Sequence, residues 1–215
     1  MSISKTVVIG CAGIGSRLGL GQSKALINIH GKPLIHWQLE LLKDIEDVRI
    51  VVGYQANDVM KTILEVRKNV TFVFNHNYFN TKTATSIYLA SKYANDYIFT
   101  IDGDVVIHPD DMKSCLEEQN SFIGVTDISS DESVLVNLDE KENVLSFSRE
   151  KGSLEWIGPV LLPKDIFSYS KDNHLYEVIE PNLPIKAKKV RSMDIDTMND
   201  YYKAIEKFKE WYEEV

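Results

Sequence analysis

The chain has 215 residues, of which 44% are hydrophobic and 26% charged, as in ordinary globular proteins. Its formal net charge of -8, from 24 basic and 32 acidic residues, argues against a general nucleic-acid or membrane binder. Cys11 and Cys115 form no metal-binding or disulfide spacing, and no apolar run reaches the roughly 18 residues of a membrane span. We therefore expect a cytoplasmic protein without nucleic-acid or membrane partners, with residues 1–215 forming a single domain.

Strand and helix patterns alternate through the first half of the sequence. Buried-strand patterns cover residues 5–10, 48–53, 70–74 and 97–101, and helical apolar spacing covers 34–42, 57–66 and 83–93. This alternation, with short connections, predicts an α/β fold: a mostly parallel, Rossmann-like central sheet with helices on both faces.

From about residue 122 the helices become sparse. Strand patterns cover 122–126, 133–138, 144–148 and 185–190, and helical patterns cover 163–169, 175–180 and 197–212. The polar centre of NLDEKENVLSF predicts a hairpin between two of these strands. We therefore expect residues of about 122–190 to include a small antiparallel insertion.

A glycine-rich loop with two cations follows the first predicted strand. Gly13 and Gly15 precede Arg17, and Lys24 lies seven positions further on. Ligands bind at the carboxyl ends of strands in a parallel sheet, and glycines allow the backbone N–H groups to approach phosphate oxygens. An arginine fork and a lysine charge suit phosphate as well. The loop is therefore predicted to bind a polyphosphate.

Two common phosphate-binding loops fit this stretch poorly. The dinucleotide fingerprint requires Gly-x-Gly-x-x-Gly and an acid at the end of the second strand, but here that strand ends in VVGYQ. The ATPase-type loop requires Lys-Ser/Thr after its second glycine, where this chain has Ser16 and Arg17.

A third signature matches more closely. The stretch AGIGSRLGLGQSKALINIHGKPLIHWQLELL resembles the nucleotidyltransferase signature AAGxGxRhx…PKxLhxhxGKPhI, in which h is apolar. Cys11 replaces the first alanine and Ser23 replaces the proline before the lysine. The resemblance implies a fold of the nucleotide-diphospho-sugar transferase type and an enzyme that joins an NTP to a phosphorylated acceptor and releases pyrophosphate.

The same resemblance implies roles for individual residues. Arg17 would hold the leaving phosphates, and Lys24 would bridge the α-phosphate and the acceptor, so both are expected to be catalytic. The further nucleotide-binding residues implied in and around the loop are Ala12, Gly13, Ile14, Gly15, Ser16 and Gly53.

Carboxylates follow the fourth strand and precede the last helix, in TIDGDVVIHP and VRSMDIDTMNDYYKA. Both stretches resemble further family segments, which implies that Asp104 and Asp196 bind Mg²⁺, with Asp102 near the nucleotide. One or two protein carboxylates suffice for Mg²⁺ because the ion keeps several waters. On their own these acids also fit a solvated turn and, for Asp194, Asp196 and Asp200, a helix cap. For Asp200 we favour the cap.

The helix after the third strand opens with Thr83, Thr85 and Ser86, which fit either nucleotide contacts or ordinary N-capping. Around it, NHNYFNTKTATSIYLASKY resembles the phosphocholine cytidylyltransferase branch of the family. That likeness implies CTP as the nucleotide and a small acceptor such as phosphocholine or aminoethylphosphonate.

The acceptor is expected to bind near SREKGSLEWIGPVLL, which contains Arg149, Glu155 and Trp156. A Trp beside a carboxylate can receive an ammonium group by cation–π contact, although a core-packed Trp is the favoured alternative. A sugar-1-phosphate or molybdopterin-type acceptor stays open, and so does a non-catalytic nucleotide-binding module. Aromatic residues near the hairpin are the reason to consider a homodimer.

Overall fold

The computed structural model of the chain describes residues 3–129, 133–169 and 172–212. Its strands are β1 (Lys5–Cys11), β2 (Asn28–Ile29), β3 (Lys32–Pro33), β4 (Val48–Val52), β5 (Thr71–Phe74), β6 (Tyr97–Asp102), β7 (Val105–Ile107), β8 (Phe122–Thr126), β9 (Leu135–Leu138), β10 (Asn143–Ser148), β11 (Leu154–Pro163), β12 (Ile185–Lys189) and β13 (Ser192–Asp194). Its α-helices are α1 (Leu34–Leu41), α2 (Ala56–Val66), α3 (Thr83–Ser91), α4 (Pro109–Glu117), α5 (Leu175–Ile179) and α6 (Met198–Tyr212). Short 3₁₀ turns cover Ser16–Leu18, Lys24–Leu26, Lys164–Phe167 and Glu180–Asn182.

One nine-stranded sheet connects both halves of the sequence, in the order β5-β4-β1-β6-β11-β8-β12-β10-β9. The first four of these strands are parallel neighbours, as the alternating pattern predicts. β11 is antiparallel to both β6 and β8, and the predicted hairpin is β9–β10. The α/β fold class is confirmed, and the antiparallel strands of the second half extend the central sheet.

Helices cover both faces of the sheet because the central strands are apolar on both sides. Along β1, Val7 and Ile9 belong to the cluster that contains residues of α1, α2 and α4. Val8, between them, belongs to the cluster that contains residues of α3 and α5. Successive side chains of a strand point to opposite faces, so a continuous apolar run is what a doubly covered strand requires.

Two short strands bring distant acids to the same edge of the sheet. β7 directly follows β6 and its loop, and β13 pairs with it antiparallel, with Asp194 opposite Val105. The backbone N–H of Ile195 then donates to the carbonyl of Asp104 at 3.0 Å. β13 thus brings the chain from β12 back to the end of β6, and α6 follows at Met198.

The last helix is capped as expected for Asp200. Its Oδ2 accepts hydrogen bonds of 2.8 Å from both the N–H and the hydroxyl of Thr197. The Thr197 hydroxyl in turn accepts from the N–H of Asp200 at 3.2 Å, so the two residues form a reciprocal capping pair. α6 packs Phe208 against Trp37 of α1 and closes a third apolar cluster.

Three further predictions from the sequence concern membrane spans, the two cysteines and the aromatic residues near the hairpin. Among the residues described above, no helix is both long enough and apolar enough to span a membrane. Cys11 and Cys115 are buried and free. Phe147 and Trp156, which are aromatic residues near the hairpin, pack against each other and Tyr176 within the chain. The homodimer stays a prediction.

Candidate active site

A cleft of three neighbouring compartments lies at the carboxyl ends of β1 and β6. The loop compartment, about 260 Å³, is lined by the glycine loop, Lys24 and Asp104. The helix compartment, about 220 Å³, lies against the start of α3. The strand compartment, about 430 Å³, lies against β11 and β13. Gly13 lines the first two, Arg17 the first and third, and Asp102 the second and third, so the compartments are neighbours.

Lys24 links the two acids that sequence reasoning assigned to a metal. Its Nζ lies 2.6 Å from Asp104 Oδ2 and 2.5 Å from Asp196 Oδ1. Arg17 Nη2 lies 2.8 Å from the same oxygen of Asp196. Burial alone would lower the pKa of Lys24, but the charges and hydrogen bonds of the two carboxylates outweigh it and raise the pKa. Lys24 is therefore held as a cation.

The glycine loop makes room for the stem of this lysine. Gly15 has a φ of +65°, and a Cβ on it would lie 2.8 Å from Lys24 Cγ. Only glycine meets both conditions without displacing the neighbouring side chain. Gly15 therefore lets the side chain of Lys24 run directly beside the loop.

A second glycine, on the neighbouring strand β11, leaves space for the side chain of Asp102. Gly158, at a φ of +89°, lies where the register between β11 and β8 shifts, and a Cβ on it would lie 2.2 Å from Asp102 Oδ2. Burial, together with the charge of Asp104, raises the pKa of Asp102 to about 7, although Lys24 opposes the shift. The bulge in β11 thus leaves space for a carboxyl beside the cleft.

Asp194 is a further acid of the strand compartment that sequence reasoning mentioned only as a helix cap. It lies in β13 instead, and its Oδ1 is buried without a hydrogen-bond partner. Burial raises its pKa well above the ordinary value, and the charges of Asp104 and Asp102 add to the shift. The alternating acids of MDID are the sequence signal that marks it, because residues two apart share one face of a strand.

The donor set at Lys24 suits a divalent cation. Asp104 Oδ2 and Asp196 Oδ1 already approach one ammonium group within 2.6 Å, and both are hard oxygen donors of the type Mg²⁺ prefers. Throughout residues 3–129, 133–169 and 172–212, no group of three or more His, Cys, Asp or Glu side chains is arranged to hold a metal. A bound Mg²⁺ would thus rely on two carboxylates, waters and a ligand's phosphates.

The helix compartment is organised by Asn75, which the sequence analysis missed. Its buried side-chain amide donates to Thr81 Oγ1 at 2.9 Å and to Ser86 Oγ at 3.2 Å. Thr83 lines the compartment, and its hydroxyl accepts a hydrogen bond from the N–H of Leu175. The threonine therefore ties α3 to α5.

The three residues predicted near the acceptor all line the strand compartment. Glu155 is buried, and its Oε2 accepts hydrogen bonds from the N–H and the hydroxyl of Ser129, at 2.8 and 3.1 Å. Trp156 packs against aromatic neighbours, as the favoured alternative predicts, and its buried Nε1 has no hydrogen-bond partner. The Arg149 guanidinium lies 5.8 Å from the centre of the Tyr176 ring.

Three of the predicted site residues line none of the compartments: Ile14, Gly53 and Thr85. Gly53 lies behind the wall, where a Cβ would come within 2.9 Å of the Ala12 carbonyl and 2.8 Å of Tyr78 Cβ. Its small size therefore lets Tyr78 pack beside Ala12, and both of these residues line the helix compartment. The other predicted residues all contribute to the cleft.

The chain is similar to a known family and to individual proteins. The model of the MobA-like NTP transferase domain matches residues 7–164. A choline-phosphate cytidylyltransferase from Streptococcus pneumoniae is 36% identical over 101 residues, which are 44% of this chain and 43% of that relative. The matched segment thus spans less than half of the relative's length.

Two solved structures resemble the whole chain. CTP:phosphocholine cytidylyltransferase from Streptococcus pneumoniae superposes with a TM-score of 0.78 at 22% identity, covering 96% of this chain and 100% of that one. The inositol-1-phosphate CTP transferase from T. maritima gives a TM-score of 0.80 at 20% identity and covers 98% of each chain. At these identities the superpositions establish the shared fold. Because the family model covers more than half of its length, the chain belongs to the family of MobA-like NTP transferase domains.

Proposed function

We propose that the chain is a nucleotidyltransferase that uses CTP and a small phosphorylated acceptor and releases pyrophosphate. The observation that carries the proposal is the position of Lys24 between Asp104 and Asp196, at the floor of the glycine loop. A cation with an acid on each side of it, next to a loop that offers backbone N–H groups, is the arrangement that a triphosphate with its divalent cation requires.

The reaction requires positioning more than acid–base chemistry. An oxygen of the acceptor's phosphate bonds to the α-phosphorus of the nucleotide, and the bond to the β-phosphate's bridging oxygen breaks, so that pyrophosphate leaves. The attacking oxygen is already an anion, so no general base is needed. The protein must align the two phosphates and stabilise the charge that builds on the α-phosphate oxygens.

The loop compartment supplies the groups for this task. Arg17, which is more than half exposed at 55%, can turn toward the β- and γ-phosphates of an entering nucleotide. Lys24 lies deeper, with a side chain only 13% exposed, where it would neutralise the α-phosphate and the approaching acceptor. The N–H groups of Gly13 to Ser16 would add donors to the phosphate oxygens.

Asp104 and Asp196 are the residues that would hold Mg²⁺. When bound, the ion would supply positive charge to the phosphate oxygens and polarise the α-phosphate. With the two carboxylates holding the ion, Lys24 would be available to neutralise the phosphates.

The nucleobase is assigned to the helix compartment, where Asn75 and Ser86 offer hydrogen-bonding groups beside the apolar wall formed by Ile87. The choice of CTP is supported by the similarity to the choline-phosphate cytidylyltransferase from Streptococcus pneumoniae. The pattern of residues 75–93 supports the same choice.

The acceptor is assigned to the strand compartment. Trp156 presents aromatic surface next to the buried carboxylate of Glu155, which together suit a cationic head group. Arg149 and Arg17 line the same compartment and suit the acceptor's phosphate. An aminoalkyl phosphate or phosphonate carries both charges, so this class of acceptor is proposed.

A matrix of four NTPs against choline phosphate, aminoethylphosphonate, phosphorylated amino acids and sugar-1-phosphates tests the proposal by pyrophosphate release. We expect Mg²⁺-dependent release with CTP and one of the amino-containing acceptors. Release with another NTP and a sugar-1-phosphate would overturn the cytidylyl assignment. Nucleotide binding without release for any pair would identify a non-catalytic module.

A further inference from the structure

Ser23 departs from the family signature at the residue just before Lys24, where the signature has proline. The backbone of Ser23 nevertheless has a φ of -58° and a ψ of 134°, the conformation to which a proline ring would hold it. Serine leaves φ free to vary, so a hydrogen bond to its backbone can supply the restraint that a proline ring would give. Ser23 is also buried, at 1% exposure.

Gln55 supplies that contact from the start of α2. Its Oε1 accepts a hydrogen bond of 2.8 Å from the N–H of Ser23, and its Nε2 donates to the carbonyl of Gly21 at 3.1 Å. The two partners fix the orientation of the amide, because one offers only a donor and the other only an acceptor. A proline at position 23 would have no N–H to offer.

The backbone of Gln55 is itself held in an uncommon conformation. It has a φ of 49° and a ψ of 37°, in the left-handed region, immediately before the first residue of α2. This conformation directs the side chain across to the glycine loop. Gln55 lines none of the three cleft compartments, so contact with a ligand there does not account for it.

We infer that Gln55 is a positioning residue that replaces the missing proline: its amide holds Ser23 in a proline-like conformation and thereby sets the direction in which Lys24 leaves the backbone. Ser23 is the residue from which the 3₁₀ turn Lys24–Leu26 starts, and its carbonyl accepts from the N–H of Leu26 at 3.0 Å. A rotation at Ser23 therefore moves the turn and the lysine together. The inference rests on the proposed function only in the catalytic role given to Lys24.

If Gln55 takes the place of the proline, substitutions at Gln55 and Ser23 should each be harmful alone and compensate for each other when combined. Gln55→Met keeps the length of the side chain but leaves the buried N–H of Ser23 without an acceptor, which destabilises the loop. Ser23→Pro alone puts a ring carbon where the N–H points at Gln55 Oε1, so the two groups clash. In the double variant the proline ring fixes φ, and position 23 has no N–H that needs an acceptor. The flexible methionine side chain can move to make room for the ring.

Hydrogen–deuterium exchange on the nucleotide-free protein measures the loop without reference to catalysis. We expect Gln55→Met to speed exchange of the N–H groups of residues 23–27 by about tenfold, while those of β1 and β4 keep their protection. Adding Ser23→Pro should restore most of the protection at residues 24–27. Exchange in Gln55→Met equal to that of the unaltered chain, or a double variant as unprotected as Gln55→Met, would overturn the inference.

Two further variants make the result specific. Tyr54→Phe removes the neighbouring hydrogen bond, 3.2 Å long, from the Tyr54 hydroxyl to the Gly21 carbonyl and leaves Ser23 untouched. It should leave exchange at residues 23–27 unchanged, and an effect equal to that of Gln55→Met would count against the inference. Gln55→Glu keeps an acceptor for Ser23 and should retain more protection there than Gln55→Met does, whereas equal loss would contradict the assigned contact.

Turnover then links the loop to the proposed chemistry. Gln55→Met should lower kcat about tenfold or more, with a much smaller change in KM for the nucleotide, and Ser23→Pro in the same chain should recover most of that loss. If the double variant restores protection from exchange but not kcat, Gln55 does not set the position of Lys24. If no substrate pair gives turnover in the unaltered chain, the proposed function fails while exchange still decides whether Gln55 holds the loop.

Discussion

Lys24 and Asp196 lie 172 positions apart in the sequence, yet Nζ of the lysine and Oδ1 of the aspartate are 2.5 Å apart. With Asp104 on its other side, the ammonium group occupies the position between two carboxylates where a divalent cation would bind. Without the lysine, two acids would face each other beside the buried carboxyls of Asp102 and Asp194. The lysine therefore acts as their counter-ion when no ligand is present.

Replacing the lysine tests its proposed role in turnover. Lys24→Met removes the charge and keeps an unbranched stem against Gly15, so we expect kcat to fall by a factor on the order of 100 or more. Pyrophosphate release under saturating substrates measures the change. Near-normal turnover would exclude Lys24 from the chemistry. Lys207→Met is a suitable control because Lys207 pairs with Glu210 on the exposed side of α6.

The same variant makes a second, opposite prediction for metal binding. Removing a positive charge that lies against both carboxylates favours another cation, by one to several kcal/mol at such distances. We therefore expect Lys24→Met without nucleotide to bind Mn²⁺ about tenfold or more tightly than the unaltered chain does. Titration followed by electron paramagnetic resonance measures the free ion. Equal or weaker binding would contradict the idea that lysine and metal compete for one position.

The two proposed metal ligands can be tested against an acid that only caps a helix. Asp104→Asn and Asp196→Asn each remove one charge at the Lys24 position, and each should lower turnover about 100-fold and weaken Mn²⁺ binding. Asp200→Asn keeps an oxygen that can accept from Thr197 but removes the negative charge in the first turn of α6, which should cost about 0.3–1 kcal/mol of stability and leave Mn²⁺ affinity unchanged. Equal metal affinities in all three variants would remove Asp104 and Asp196 from the site.

Much of the fold and part of the site follow from local sequence signals. The predicted strands and helices occur in the structure with ends that differ by at most two residues, although 163–169 forms only a 3₁₀ turn. Apolar runs and glycine–acid motifs are strong signals because burial and phosphate binding require particular residues at fixed spacing. The placement of Asp104 beside the glycine loop follows from motifs at strand ends, whereas that of Asp196 is implied by the family resemblance.

Other features depend on contacts that no local pattern encodes. β7 and β13 have three residues each, too few for a periodic signal, and their pairing gives Asp194 its place in the cleft. Gln55 reads as an ordinary polar residue before a helix, and only its hydrogen bond across 32 positions to Ser23 reveals a structural role. Such residues are recognised from the fold, after the elements around them have been assembled.

Substituting Gly158 tests whether the side chain of Asp102 needs the space that this glycine leaves. In Gly158→Ala the new Cβ would meet Asp102 Oδ2, and the residue would keep a φ of +89°. Gly31→Ala is the matched control because Gly31 has a φ of +84° and nothing within 4 Å of a Cβ. Backbone strain should lower the free energy of unfolding in both, and Gly158→Ala should lose about 1–3 kcal/mol more. Equal losses in urea denaturation would mean that Asp102 moves aside freely.

The strand that brings Asp194 and Asp196 to the cleft is anchored by an ion pair with a defined pH dependence. Asp111 of α4 accepts hydrogen bonds from Arg191, at 2.7 Å from the backbone N–H and at 2.9 and 2.8 Å from the guanidinium. Burial alone would raise the pKa of Asp111, but these hydrogen bonds and the arginine's charge outweigh it and hold the pKa below the ordinary 3.8.

Because the folded-state pKa lies below the unfolded one, the ionised Asp111 stabilises the fold above about pH 4, and this contribution disappears as the pH falls through the folded value. Asp111→Asn keeps an oxygen that can accept from Arg191 but removes the charge. We expect it to lower the free energy of unfolding by about 0.5–1 kcal/mol at pH 7, since Arg191 is half exposed at 53%. Urea denaturation of both chains from pH 7 to pH 3 should show the difference shrinking toward zero. A difference that stays constant over this range would mean that the charge of Asp111 contributes nothing to the anchoring of β13.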